Sequence, residues 1–302
     1  MSESSSVATL SAMLGDYPFT LPLKRGEIAS DRLHLAFADV KVPNRAFKSV
    51  VREGAYDVAE LAIITFLQAR ALGKPLVLLP AVVGPGRFQH GCLVYNTEQG
   101  ALRPADLAGR RIGARSWSQT TVTWVRGILA TQYGVDLASL RWVCFEDGHL
   151  AEYRDPPQVE RAAPDKDLMA MLLAGEIDVA VIGNEKPADP RIQPLIADPL
   201  ADALAWTREW GAVPINHMIT MRESLVRERP DLAAEVFRLL RESRRVAAAG
   251  LPVPAGPDML PLGLAANRRS LEIAIEFAWT QGLLARRLTV DELFDDATRD
   301  LV

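Results

Sequence analysis

The sequence has little cysteine, no excess of basic residues and no long apolar run, and each shortage excludes a class of protein. Its two cysteines, Cys92 and Cys144, lie in apolar strand-like segments without a disulfide framework or a catalytic signature, so we expect both to be buried. No apolar run reaches the roughly 18 residues that a membrane span needs. The net charge of −4 provides no basic face for nucleic acid. We therefore expect neither a membrane nor a nucleic-acid partner.

Signals for export, metals and cofactors are also missing. Residues Met1 to Leu10 contain neither a basic segment nor a sustained apolar core, so we expect a cytoplasmic protein unless an export signal precedes them. There is no H-E-x-x-H, C-x-x-C or G-x-x-x-x-G-K-[ST] motif, and Gly84–Gly91 has the wrong glycine spacing for a dinucleotide loop. The Glu146-Asp-Gly-His149 cluster with Glu152 is typical of a solvated loop. We expect no metal and no organic cofactor.

What the sequence does contain is a regular alternation of strand-like and helix-like segments. For example, Leu76 to Val83 has the pattern of a buried strand, and Gln119 to Tyr133 that of a long helix that ends at Gly134. Such alternation is typical of a largely parallel sheet with helices on its faces. The 302 residues, 49% of them apolar, are enough for two domains with a core each. Paired arginines such as Arg244-Arg245 are typical of a solvated helical face.

One internal similarity organises the chain. The segment Gly54-Ala-Tyr-Asp57-Val-Ala-Glu60-Leu61 matches Gly175-Glu-Ile-Asp178-Val-Ala-Val181-Ile182. In each copy the glycine follows a predicted helix, as expected of a helix C-terminus, and the apolar run enters a strand. The match predicts two lobes of related topology, although so short a similarity also arises by coincidence.

Several segments in order along the chain resemble the 4,5-dihydroxyphthalate decarboxylase family. They are Gly15-Asp-Tyr17, Asn44-Arg-Ala-Phe47, Tyr56-Asp-Val-Ala-Glu-Leu61, Arg87-Phe-Gln-His90, Trp124-Val-Arg-Gly-Ile-Leu129, Val213-Pro-Ile-Asn-His217, Ala266-Asn-Arg268 and Arg287-Leu-Thr-Val-Asp-Glu-Leu-Phe294. The resemblance implies a two-lobed α/β fold similar to type II periplasmic binding proteins, with a ligand cleft between the lobes. It implies one lobe from residues 1–95 and 215–302 and another from 96–214, with crossing strands near 92–96 and 213–221.

The sequence departs from the family pattern at two places. Where the family carries Arg-x-Phe-Arg-His, this chain has Gly86-Arg87-Phe88-Gln89-His90, so that Gln89 replaces one arginine. The segment Gly183–Pro187 also differs from the family's Ser-Ala-Arg type. Both positions are ones where the resemblance implies that a substrate carboxylate is recognised.

In sheets of this kind ligands bind beyond the carboxyl ends of the strands, which selects the segments that follow each predicted strand. The segment Ser116–Thr121 opens a long helix, and its hydroxyls at Ser118, Thr120 and Thr121 are typical of an anion site; simple capping of the helix by Ser118 is the alternative. Trp117 offers a flat face for stacking on an aromatic ring, or is a core residue. Asn184 follows the second repeated strand and is a further candidate for substrate binding.

Five other residues are candidates for binding or catalysis. Arg87 and Arg45 could each bind a carboxylate, or be exposed cations. His90 and His217 are candidate acids, with capping or core packing as the alternatives. Glu60 lies inside an apolar strand, so it must be paired or have a raised pKa, and it is a candidate base or arginine partner.

These residues support two hypotheses about function. The first is a cofactor-independent decarboxylase of an aromatic dicarboxylate, similar to 4,5-dihydroxyphthalate decarboxylase, with His90, His217 and Glu60 as catalytic residues. The second is a substrate-binding protein, of a transporter or a sensor, that holds a small carboxylate without chemistry. In both, the partner is a small anionic organic molecule.

Overall fold

Two separate β-sheets contain the strands of the computed structural model, which describes residues 7–183, 188–251 and 255–302. The chain divides into unit 1, which comprises Met1–Gly86 and Ile215–Val302, and unit 2, which comprises Arg87–Pro214. Each unit contains one of the two sheets.

The bounds of the regular elements in the described residues are as follows. The strands are β1 (Ala8–Met13), β2 (Leu33–Phe37), β3 (Val58–Ala62), β4 (Leu76–Val83), β5 (Leu93–Asn96), β6 (Arg111–Ala114), β7 (Arg141–Cys144), β8 (Glu160–Arg161), β9 (Val179–Val181), β10 (Ile192–Pro194) and β11 (His217–Arg222). The helices are α1 (Leu21–Lys24), α2 (Phe47–Glu53), α3 (Ile63–Ala71), α4 (Thr120–Tyr133), α5 (Leu168–Leu173), α6 (Pro199–Trp210), α7 (Glu223–Glu228), α8 (Pro230–Ala248), α9 (Leu264–Thr280) and α10 (Asp296–Arg299).

The sheets of the two units have the same topology. The sheet of unit 1 has the order β2-β1-β3-β11-β4, in which β1 is parallel to β2 and β3, and β11 is antiparallel to both of its neighbours. In unit 2 the order β7-β6-β9-β5-β10 repeats this pattern, with β5 as the antiparallel strand and the short β8 added beyond β7. The sheet order confirms the duplicated architecture that the internal sequence match predicts.

Asp57 and Asp178, which occupy the same position in the internal sequence match, have the same structural role. Asp57 precedes β3, and its carboxylate accepts hydrogen bonds from the Ser11 backbone N–H (2.9 Å) and hydroxyl (2.7 Å) on β1. Asp178 precedes β9 in the same way and accepts from the backbone N–H of Arg111 on β6 at 2.8 Å. The glycine three residues before each aspartate has a positive φ, +62° at Gly54 and +72° at Gly175, which an L-residue adopts only with strain. The repeat is therefore a structural device that fixes the register of the third strand against the first.

The division between the units lies earlier in the chain than the expected boundary at residue 95. Residues 93–96 form β5, which pairs with β9 and β10 and so belongs wholly to the sheet of unit 2. The first change of unit comes after Gly86 and the second after Pro214. The expected strand at 213–221 begins at His217 and lies entirely in the sheet of unit 1.

Each unit has its own apolar core. In unit 1, alternate residues of the strands pack against α8, whose buried residues recur at the spacing of one helix face: Leu232, Val236, Phe237 and Leu240. In unit 2, the core contains the paired aromatic rings of Trp124 and Trp206 (6.1 Å between centroids), and α5 packs on β9. Both cysteines are free and buried, as the sequence predicts, and burial raises the pKa of both thiols, that of Cys144 to about 12. Among the described residues, none of the helices is long and apolar enough to cross a membrane.

We expect Asp57→Ala to lower the free energy of unfolding by about 1–3 kcal/mol, because it leaves the N–H of Ser11 without its charged acceptor. The exposed Asp39, which pairs with Lys41 at 2.7 Å, is the matched control, and Asp39→Ala should leave the urea midpoint unchanged. Urea unfolding followed by circular dichroism measures both. Equal midpoints for Asp57→Ala and Asp39→Ala would contradict the structural role of the repeated aspartate.

Candidate functional site

The strand register of unit 1 brings Glu60 and His217 together. Strand β11 pairs antiparallel with β3 so that Ile219 lies opposite Glu60 and His217 lies opposite Ala62. Residues opposite each other, and residues two apart along one strand, point to the same face of a sheet. His217 is two residues from Ile219, which lies opposite Glu60, so Glu60 and His217 are diagonal neighbours on one face. Their side chains meet there, with 2.8 Å between Glu60 Oε1 and His217 Nδ1.

The Glu60 carboxylate is fully buried and is surrounded by donors. The backbone N–H of Gly15 donates to Oε2 at 2.5 Å, and the Tyr17 hydroxyl donates to Oε1 at 2.8 Å. Burial of a charge is costly unless hydrogen bonds replace the lost water, and here three groups from two segments do so. The predicted arginine partner of Glu60 is therefore replaced by a histidine, a tyrosine and a backbone amide.

This arrangement fixes the protons of the cluster. Burial, followed by the charge of Glu60, raises the pKa of Tyr17 well above its ordinary value. Tyr17 therefore keeps its proton and donates a hydrogen bond to the carboxylate. An ionised carboxylate only accepts, so Nδ1 of His217 carries the proton in the contact with Glu60. Nε2 is then the ring atom of His217 that can exchange a proton with a ligand. The imidazole side chain is 19% exposed, whereas Glu60 has no exposed surface.

The His217 ring is also held by packing. Phe47 meets it edge-on, with 5.2 Å between the ring centroids and 86° between the planes. Gly84, at the end of β4, lies so close that a Cβ there would be 3.2 Å from Nδ1, and its φ of +89° also requires glycine. A buried carboxylate on one side and these contacts on the others orient the imidazole.

In unit 2, the predicted anion-binding residues gather at the start of α4. The helix begins at Thr120, and its N-cap residue is Gln119, whose side chain makes no capping bond. Capping by Ser118, the alternative from the sequence, is therefore wrong. Ser118, Thr120 and Thr121 are all buried, and the hydroxyl of Ser116 has no hydrogen-bond partner among the described residues. An uncapped helix N-terminus with buried hydroxyls retains the features of an anion site.

Arg87 lies beside this helix start. Its guanidinium NH2 group donates to the Thr121 hydroxyl at 2.8 Å, and its Nε is buried with no partner among the described residues. Arg87 thus adds a permanent positive charge to the N-terminal end of α4. The geometry is consistent with carboxylate binding, which stays a prediction.

Trp117 is placed differently from the stacking platform that its sequence position suggests. The guanidinium of Arg126 lies over the Trp117 ring, 3.5 Å from its centroid. The Trp142 ring packs edge-on against Trp117, with 5.5 Å between the ring centroids. Arg126 is itself fully buried, which lowers its pKa to about 9, so it remains protonated at neutral pH. One face of Trp117 is therefore occupied by a cation from its own unit, and the core alternative is the better description.

His90 lies in the interior of unit 2 at the start of a 3-10 helix, His90–Cys92. Its Nε2 is 2.8 Å from Gln132 Oε1 on α4. Its ring packs against that of Trp206 on α6, with 6.5 Å between the ring centroids. Burial lowers the pKa of His90, partly offset by the hydrogen bond to Gln132, so the imidazole is neutral at pH 7. These contacts favour a packing role for His90 and make His217 the stronger candidate for proton transfer.

Two predicted residues remain. Arg45 ends the 3-10 helix Pro43–Arg45 that precedes α2, and its side chain is exposed. Asn184 lies outside the described residues. The sequence did not predict the hydrogen bond from Tyr17 to Glu60. The segment Gly15–Tyr17 follows a strand, but no local pattern in it indicates this contact. No group of side chains in the described ranges has the composition of a metal site.

The buried neutral His90 predicts a pH dependence of stability. The unfolded chain takes up a proton at His90 near pH 6.5, whereas the folded chain does so only at lower pH, so this stabilising contribution is complete above pH 6.5 and is lost as the pH falls. Between pH 7.5 and 5.5, the urea midpoint of His90→Gln should fall less than that of the wild type. Equal decreases in the two proteins would show that His90 is not buried in its neutral form.

Anion binding at the start of α4 should depend on Arg87. With sulfate as the probe, calorimetry should show at least tenfold weaker binding to Arg87→Gln, because a charge-assisted hydrogen bond is lost. The exposed Arg103, which pairs with Asp106, is the control, and Arg103→Gln should bind sulfate as the wild type does. Unchanged sulfate affinity in Arg87→Gln would remove Arg87 from the site.

With this geometry in place, the fold can be compared with solved structures. The aliphatic sulphonate binding protein of Escherichia coli matches with a TM-score of 0.61, 13% identity and 98% of both chains covered. The alkanesulfonate-binding protein of Xanthomonas axonopodis pv. citri matches with a TM-score of 0.55, 16% identity and 95% of this chain and 98% of that chain covered. A Candida albicans protein, described as exhibiting the generic periplasmic binding protein fold, matches with a TM-score of 0.53, 12% identity and 98% of both chains covered. The chain has the periplasmic-binding-protein fold.

Sequence comparison gives relatives of one kind. No family model matches the chain. A 4,5-dihydroxyphthalate decarboxylase of Comamonas testosteroni is 28% identical over 329 aligned positions, which cover 96% of this chain and 97% of the relative. A 4,5-dihydroxyphthalate decarboxylase of Pseudomonas putida is 32% identical over 213 positions, which cover 66% of this chain and 81% of the relative. The protein therefore belongs to the 4,5-dihydroxyphthalate decarboxylase family.

Proposed function

We propose that this protein is a carboxy-lyase that removes one carboxylate from an aromatic dicarboxylate of the 4,5-dihydroxyphthalate type. Membership of the family supports the reaction class. The observation that carries the proposal is the buried Glu60 carboxylate, which holds the imidazole of His217 at 2.8 Å and receives the hydroxyl of Tyr17. Such a carboxylate–imidazole pair is a device for moving a proton at a fixed place. The reaction belongs to the breakdown of phthalate-type ring acids.

The chemistry requires one proton to be delivered to the ring. A ring hydroxyl para to the leaving carboxylate gives up its proton to a base, and the ring carbon that bears the carboxylate accepts a proton from an acid. The bond from that carbon to the carboxylate then breaks, its electron pair restores the aromatic ring, and CO2 leaves. The phenolate oxygen, by then a carbonyl, becomes a hydroxyl again as the base returns its proton. Overall, the ring exchanges CO2 for one proton.

The residues of unit 1 match the need for an acid that protonates the ring carbon. Nε2 of His217 is the atom that exchanges a proton with the ring, because Nδ1 is committed to Glu60. Glu60 acts as the positioning residue, since its contact with Nδ1 orients the imidazole. Tyr17 and Gly15 donate hydrogen bonds to the Glu60 carboxylate and fix its position. The ligand is a small organic anion.

A second candidate function is binding without chemistry. It is favoured by the fold, which this chain shares with two sulfonate-binding proteins. A binding protein needs hydrogen bonds and charge at its site, but it does not need an imidazole oriented by a buried carboxylate. The two functions therefore differ in what the removal of His217 changes.

We expect His217→Gln to lower kcat for 4,5-dihydroxyphthalate about 10²-fold or more with a much smaller change in KM, because a positioned acid contributes to turnover rather than to binding. Glu60→Gln preserves the size of the side chain and should also lower kcat. The release of CO2 gives both rates. The exposed His34 on β2 provides the matched control, and His34→Gln should retain wild-type kcat.

Two results would contradict this assignment. If His217→Gln and His34→Gln had the same kcat, His217 would not be the acid. If the wild-type protein bound 4,5-dihydroxyphthalate tightly in calorimetry and released no CO2, the protein would be a binding protein for this compound.

A further inference from the structure

Unit 1 contains a cavity of about 230 Å³ that the sequence did not indicate. It is formed by the segment after β1, the end of β4 with the residues up to Gly86, the second half of α8 and the segment before α9. Its walls are mostly apolar, with one positively charged side chain. The lining includes Tyr17, Phe19, Gly84, Leu240, Arg244 and Leu262.

The cavity adjoins the Glu60–His217 pair. Tyr17 lines the cavity and donates its hydroxyl to Glu60. Gly84 also lines it, and the position of a Cβ on Gly84 is 3.2 Å from Nδ1 of His217. With no side chain at Gly84, the backbone at the end of β4 can lie close to the imidazole. A molecule in the cavity therefore lies against Tyr17, which contacts Glu60, and against Gly84, which lies beside His217.

The size and lining suit an aromatic ring. An apolar cavity of about 150 Å³ is enough to hold benzene, so about 230 Å³ accommodates a ring with substituents. The aromatic ring of Phe19 and the aliphatic side chains of Leu240 and Leu262 provide apolar contact on several sides. Burial of a ring against such walls is favourable because apolar surface leaves water.

Arg244 supplies the charge. The sequence assigns Arg244-Arg245 to a solvated face, but the side chain of Arg244 is only 28% exposed. Arg244 lies four residues after Leu240 and eight after Val236, so it lies at the edge of the buried face of α8. It lines the cavity, with its guanidinium 5.7 Å from the ring centroid of Phe19. Arg245, one residue on, is 69% exposed and pairs with Glu242.

The guanidinium of Arg244 has capacity for a further anion. It donates to Asp258 at 2.7 Å and to the backbone carbonyl of Leu260. A guanidinium carries five N–H donors, so two contacts do not exhaust it. Asp258 is 52% exposed, and solvent weakens its compensation of the arginine charge. A carboxylate brought into the cavity would meet this cation in an apolar surrounding, where the pairing is stronger.

We propose that the cavity holds the aromatic ring of the substrate and that Arg244 binds the carboxylate that stays on the ring. Arg244 is then the residue that selects ring carboxylates over neutral rings. This inference rests on the proposed function, since it names the place of the ring in the same reaction.

Benzoate and benzamide test the proposal by calorimetry, because they have the same ring and differ in charge, and because neither has the ring hydroxyl that the reaction needs. Arg244→Met should weaken benzoate binding at least tenfold and leave benzamide binding within threefold. Arg245→Met, the matched control one residue along α8, should change neither. Asp258→Asn should tighten benzoate binding, because it removes the carboxylate that competes for Arg244.

The opposite signs of these effects separate recognition from a structural role. If Arg244 only tethered the segment that contains Asp258 and Leu260, then Arg244→Met and Asp258→Asn would both loosen it, and both would weaken benzoate and benzamide alike. That result, or wild-type benzoate affinity in Arg244→Met, overturns the proposal. Should Arg244→Met fail to fold, Asp258→Asn decides: tighter benzoate binding supports the proposal, and unchanged or weaker binding overturns it.

The same measurements distinguish this inference from the proposed function. Loss of benzoate binding in Arg244→Met, together with no release of CO2 from 4,5-dihydroxyphthalate by the wild type, would leave the ring site in place and reject the reaction. Release of CO2 with unchanged benzoate affinity in Arg244→Met would keep the reaction and reject this ring site.

Discussion

The buried charge of Glu60 is the constraint on which the site of unit 1 depends. A carboxylate with no exposed surface must receive hydrogen bonds from the protein, and here it receives them from Gly15 and Tyr17 after β1 and from His217 on β11. These three contacts tie the loop after β1 and the strand β11 to the central strand β3. Truncation of one donor leaves the charge less compensated, so each of the three contacts matters for the stability of the cluster. A rigid carboxylate–imidazole pair is what a proton transfer at a fixed position needs.

The internal duplication separates structural from functional residues. Asp57 and Asp178 occupy the same place in the two sheets and accept the same backbone hydrogen bond, so their role is architectural. Three residues further on, the first copy has Glu60 and the second has Val181. Both side chains are buried in the third strand of their sheets, yet only unit 1 bears the cost of a buried charge there. A cost without a structural counterpart in the related unit is typical of a residue retained for chemistry.

The sequence predicted the architecture better than the site. The alternation of strand-like and helix-like segments and one short repeat were enough to predict two related sheets. This was possible because the spacing of hydrophobic residues and the glycines that end helices are local signals in the sequence. The Glu60–His217 contact joins residues far apart in the chain, and it depends on a strand register that no local pattern specifies. For Trp117 the sequence left stacking and core packing open, because no local pattern indicates that its partner, Arg126, is buried. The position of Arg244 at the edge of the apolar face of α8 follows from its spacing to Leu240, but its charged neighbours obscured that signal.

The central claim is that this chain delivers one exchangeable proton to a ring carbon as CO2 leaves. Reaction of 4,5-dihydroxyphthalate with the wild-type protein in D2O, followed by NMR, measures this directly. We expect 3,4-dihydroxybenzoate with one deuterium at the carbon that lost its carboxylate, because the protons of His217 exchange with solvent. Unchanged 4,5-dihydroxyphthalate after incubation with an equimolar amount of protein would contradict it, as would a product that carries protium at that carbon.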